Sequence, residues 1–159
     1  MSKISLSGNA SGTGVLTIAA PDTNSDRTLT LPDAAGTMFN QGNIVGTVSE
    51  SSGVPTGAII EQGSNANGEF VKYADGTMIV WGSVSITPVA NTPTSATFTY
   101  PATFSATPFA QATAYAESSV LTRPAMISAT PTTTSCQVNV IRTNTTSTQN
   151  AVAVFGRWF

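Results

Sequence analysis

The chain has 159 residues with six Lys and Arg against eight Asp and Glu, so 9% of it is charged where an ordinary soluble domain has roughly 25%. It has no His and a single Cys, which excludes Ser-His-Asp and Cys-His centres, an internal disulfide and a thiolate zinc site. A net charge of −2 with dispersed cations offers no footprint for nucleic acid, and neither a signal peptide nor a membrane-spanning run is expected from MSKISLSGN or from any later segment.

Hydrophobic residues make up 40% of the chain, and 26 Thr and 18 Ser accompany them. Thr, Val and aromatic residues suit pleated, half-buried surface, so the expected class is all-β. Few charges leave solubility to be explained, and coverage of the surface by copies of the same chain would explain it.

In residues 1–39 two alternating runs, Val15 to Ala19 and Arg27 to Leu31, predict short strands on either side of a turn-rich stretch. Two such strands are marginal alone, so this arm requires partners. Residues 40–56 are rich in Gly, Ser and Asn and read as a linker. From residue 57 strand signals become regular. Asp75-Gly76 between alternating runs predicts a hairpin over 69–87, and further strands are expected at 95–100, 109–117, 125–129, 136–143 and 150–158. That spacing predicts a sandwich or barrel with little helix.

Candidate chemistry is sparse. Ser11-Gly12-Thr13-Gly14 precedes an alternating run and not a helix, so it reads as a turn and not a phosphate cradle. The eight carboxylates are dispersed, with Asp22, Asp26, Asp33 and Asp75 in turns, and mark neither a catalytic pair nor a calcium loop. No catalytic residue, metal or cofactor is therefore assigned. Trp81, Phe155 and Trp158 are expected in the core or at a subunit interface, where large aromatics dominate burial. Tyr115, Arg123 and Arg142 are the expected exposed contacts for a glycan, although Arg142 could equally pair with an acid of a neighbouring subunit.

Two stretches then carry a resemblance. Residues 7–38, SGNASGTGVLTIAAPDTNSDRTLTLPDAAGTM, resemble a segment recurring in tail-fibre and other virion proteins of tailed bacteriophages. Residues 52–82, SGVPTGAIIEQGSNANGEFVKYADGTMIVWG, with FTYPATFSATPFAQATA at 98–114 and AVAVFGRWF at 151–159, are similar to the C-terminal domains of phage tail fibres. Those domains resemble H-type lectins, which are antiparallel β-sandwiches assembled as trimers, many of which touch host glycans. The resemblance implies an arm at 1–39 that attaches to other virion proteins, a linker at 40–56 and a homotrimeric β-sandwich knob at 57–159. It places the protein in a virion assembled in the bacterial cytoplasm, without enzymatic activity or cofactor. The alternatives are a capsid decoration (cement) or head-fibre protein and, behind them, a polysaccharide depolymerase.

Overall fold

A computed structural model describes residues 41–116, 126–143 and 145–159, together with scattered positions among the first forty. The chain divides into two compact units, Met1–Gly36 and Thr37–Phe159. The arm strands expected at 15–19 and 27–31 fall, apart from isolated positions, outside the described residues, as does Arg123.

The second unit is an antiparallel β-sandwich, as the composition and turn spacing led us to expect. After a short helix, α1 (Gln41–Ile44), come β1 (Glu50–Ser51), β2 (Val54–Pro55), β3 (Ile60–Asn65), β4 (Gly68–Tyr73), β5 (Thr77–Ile86), β6 (Thr94–Thr99), β7 (Phe109–Ala116), β8 (Met126–Pro131), β9 (Ser135–Ile141) and β10 (Thr148–Arg157). One sheet has the order β3-β4-β5-β10-β7 and the other β6-β9-β8, with β1-β2 a separate hairpin. The stretch read as a linker is bonded along β3. Gly46 N donates to Ile60 O and Ala58 N to Thr47 O, both at 2.9 Å, and Val48 N donates to the Glu61 carboxylate at 2.9 Å.

Alternation decides which face of each strand is buried. On β5 and β10 the even positions Met78, Val80, Ile86, Val152 and Val154 point inward, and they meet Phe98, Cys136, Val138 and Val140 of the smaller sheet. Burial of this kind stabilises by roughly 25 cal/mol per Å² of apolar surface. Burial raises the pKa of the Cys136 thiol, and likewise that of the Tyr100 phenol, which the neighbouring Cys136 thiol raises further. The polar side chain of Asn150, fully buried, is held by donation to Thr148 O at 3.2 Å and Val84 O at 3.3 Å.

Aromatic rings sit where the facing backbone carries no side chain. A Cβ at Gly82 would lie 2.6 Å from the Phe98 ring, and one at Gly156 would lie 2.8 Å from the Phe104 ring. Phe98 thus crosses from the smaller sheet onto β5. Phe104, anchored by its N–H to Thr133 O at 2.9 Å, lies on β10.

The β4–β5 turn and the C-terminus lock each other. Gly76 takes φ 92, which a residue with a Cβ rarely adopts, and Asp75 Oδ1 accepts from Thr77 N at 2.8 Å. That backbone donor, then the Thr77 side chain and the Arg157 charge, hold the Asp75 carboxyl below its ordinary value. Arg157 Nη2 donates to Asp75 O and Trp158 Nε1 to Tyr73 O, each at 2.9 Å, while Trp158 N donates to Gly76 O at 3.0 Å.

Candidate binding face

The strand alternation that buries the even positions of β5 and β10 turns their odd positions outward. Pairing places these side chains in rows across the larger sheet. Phe155 lies opposite both Ile79 and Phe109, and Ala153 lies opposite both Trp81 and Gln111. On the other flank Trp81 lies opposite Glu69, and Glu69 opposite Ser64. Phe109 is 68% exposed, Phe155 43% and Trp81 39%, so three large apolar side chains share one open sheet face.

That face has two halves of different chemistry. Over β10 and β7 the outward residues Ala151, Ala153, Phe155 and Phe109 form an uncharged, largely apolar band, with Thr113 and Gln111 of β7 beside Ala151 and Ala153. Over β3, β4 and β5 a cleft of about 330 Å³ is lined by Gln62, Gly63, Ser64, Glu69, Phe70 and Trp81. A second cleft of about 420 Å³ shares Ser64 and Glu69 and extends along the β3–β4 turn to Asn67 and Ser83. Asn65 shapes that turn, accepting from Asn67 N at 2.8 Å and donating to Pro101 O at 3.2 Å.

Most charged side chains of the sandwich already have work. Glu61 pairs with Lys72 at 3.4 Å, Glu50 accepts from Gly53 N, and Asp75 and Arg157 serve the hairpin lock. Among the described residues no hydrogen bond or ion pair engages the Glu69 carboxylate, the Gln62 amide, the Ser64 hydroxyl or the Trp81 indole N–H.

The residues singled out from sequence are dispersed. Trp81 and Phe155 lie on the outer face, whereas Trp158 packs against the core and is bonded to Tyr73 O. Tyr115 lies near the end of β7, its side chain outside the description. Arg142 is 3% exposed, so its expected role as an exposed contact does not hold for this chain. It follows β9 in phase with Cys136, Val138 and Val140, all buried, and alternation therefore carries it inward. Gln62, Ser64, Glu69 and Phe109 were not anticipated. For Glu69 the signal existed: the Asp75-Gly76 turn fixes a register that sets it opposite Trp81. β3, with only Ile60 apolar, gave none.

Among the described residues no group of three His, Cys, Asp or Glu side chains could hold a metal ion, and no helix is long and apolar enough to cross a membrane. No family model and no curated protein matches the chain. Solved structures similar to it include an N-truncated R1-type pyocin tail fibre, at 17% identity and TM-score 0.46, covering 62% of this chain and 88% of that one. Another is a C-terminal portion of the R2 pyocin fibre of P. aeruginosa, at 18% identity and TM-score 0.48, covering 83% of this chain and 38% of that one. The corresponding portion of the P. aeruginosa R1 pyocin fibre gives 15% identity and TM-score 0.44, covering 82% of this chain and 39% of that one. This chain therefore spans about two fifths of the length of the two longer fibre portions, and the structures it is similar to are pyocin tail fibres at low identity.

Proposed function

We propose that the protein is a non-catalytic structural component of a phage-like particle, of tail-fibre type. Residues 1–39 attach it to other virion proteins, and the sandwich forms a homotrimeric knob that contacts host-surface glycan. The observation that carries this reading is the open apolar band. Phe109 and Phe155 lie side by side, 68% and 43% exposed, on a chain with only 14 charged residues among 159. Exposed patches of this sort mark interaction surfaces, and aromatic residues are enriched at interface cores. Association of copies over β10 and β7 covers the band and removes the need for surface charge. The ordered tail-fibre-like motifs of the sequence support the particle assignment, and three copies per knob multiply a weak single-site affinity.

Immuno-electron microscopy of particles from the producing host, with an antibody against this chain, tests the assignment. Label at the tail tip is expected. Label spread over the capsid makes it a decoration protein, and particles without label overturn the reading.

A further inference from the structure

The polar half of the sheet face carries a more specific inference, which rests on the glycan-contacting reading and narrows it to one cleft and one chemical class. We propose that the cleft between β3, β4 and β5 binds a neutral pyranose. The Trp81 indole stacks on the apolar face of the sugar, and Glu69, Gln62 and Ser64 bond its hydroxyls.

A pyranose presents a face of C–H groups surrounded by hydroxyls, each both donor and acceptor. Its site needs one flat apolar surface and convergent groups of both hydrogen-bonding senses. The cleft supplies them: a carboxylate that only accepts, an amide with separate donor and acceptor, and a hydroxyl that does either. Hydroxyl bonds to the ionised Glu69 are charge-assisted and are the strongest the site makes. All four residues stand on paired strands, so their backbone positions are fixed before ligand arrives.

Two further observations favour a sugar over a second copy of this chain as the occupant. The groups lining the cleft have no partner among the described residues, and a copy seated here would strip water from Glu69 unless it supplied a matching cation. The apolar band over β10 and β7 has no such cost, which divides the face into a copy-binding half and a ligand half with Trp81 at the boundary. Charge sets the class. Among the described residues Glu69 is the only charged one lining either cleft, so a uronate or other acidic sugar meets repulsion and a neutral sugar does not. The shared lining at Ser64 and Glu69 runs on to Asn67 and Ser83, which gives a second sugar unit polar contacts along the β3–β4 turn.

The test is titration of the full chain, by ligand-observed NMR, with methyl glucoside, methyl mannoside, methyl galactoside, N-acetylglucosamine, their β-linked disaccharides and the matching uronates. At least one neutral probe is expected to bind with a millimolar dissociation constant and more tightly than its uronate. Trp81→Ala weakens that binding by about tenfold or more, as truncation of a central aromatic anchor does. Trp81→Phe restores most of it, and Glu69→Gln weakens the neutral probe while abolishing discrimination against the uronate. Trp81 and Glu69 are solvent-exposed, and unchanged sedimentation and circular dichroism establish that each variant is folded. Saccharide binding that survives both Trp81→Ala and Glu69→Gln overturns the cleft and leaves the glycan reading standing. Absence of binding to every neutral and acidic probe overturns both.

Discussion

Gly82 offers the sharpest test of the sandwich packing. A Cβ there would lie 2.6 Å from Phe98 Cε2, 2.8 Å from Cζ and 3.1 Å from Asn67 O, whereas ordinary contact begins at 3.4 Å. In Gly82→Ala the ring must therefore withdraw by about 0.8 Å in an interior packed as densely as an organic crystal. It has little room, being 3% exposed and packed edge-on to Tyr100 at a centroid distance of 5.8 Å. Overpacking of this kind costs about 1–3 kcal/mol. Replacing Gly by Ala also restricts the unfolded chain, which returns about 0.4–1 kcal/mol. Together they leave a net loss of up to about 2.5 kcal/mol, with a fall in Tm of about 2–4 °C per kcal/mol for a chain of this size. The assay is thermal and denaturant unfolding at fixed protein concentration, because dissociation is linked to unfolding in an oligomer. Gly46→Ala, whose nearest facing atom is 3.4 Å away, is the control and changes little. In a double-mutant cycle Phe98→Leu relieves the clash, so the pair loses less than the sum of the single losses by at least about 0.5 kcal/mol. A Gly82→Ala chain more stable than the wild type, or strict additivity with Phe98→Leu, would refute the packing of Phe98 onto β5.

Other outcomes follow from the hairpin lock and the core. Trp158→Phe keeps a ring but removes one of the two donors to Tyr73 O, which retains Gly76 N, and denaturant unfolding should show a loss of about 0.5–1.5 kcal/mol, with no loss contradicting the lock. Tyr100→Phe removes a buried hydroxyl that faces only the weakly bonding Cys136 thiol among the described residues, and stability should change by less than about 1 kcal/mol, whereas a larger loss would reveal a stronger bond to the hydroxyl. The Asp75 carboxyl should titrate, by NMR, below 3.8. Its folded pKa is depressed, so its contribution to the turn is present above 3.8 and is lost as pH falls through the lowered value; a midpoint at or above 3.8 would contradict the Thr77 bond.

Much of the sandwich was legible because its strands carry a period of two and its turns carry Pro or Asp-Gly. The strands expected at 109–117, 136–143 and 150–158 correspond to β7 at Phe109–Ala116, β9 at Ser135–Ile141 and β10 at Thr148–Arg157. The order of the resembling motifs also acquires a physical meaning. The turn in ADGT and the ending GRW are joined by the Arg157 and Trp158 bonds, and the Phe104 of the middle motif lies on Gly156 of the last. β3 and the β1–β2 hairpin were missed because their residues are mostly polar and are placed by backbone pairing, which leaves no hydrophobic pattern. The candidate site was the least legible part. Arg142 was read by its charge and not by its phase with Val138 and Val140, and the cleft around Trp81 depends on β3, whose position only the folded sheet reveals.

The central claim is that the open face over β10 and β7 joins copies of the chain. Sedimentation equilibrium of the purified protein, compared with a Phe109→Ser/Phe155→Ser variant, tests it most directly. At 16.3 kDa per chain a trimer weighs about 49 kDa. The account predicts that mass for the wild type and dissociation toward 16.3 kDa for the folded variant. A wild-type monomer, or a trimer indifferent to both substitutions, would contradict it.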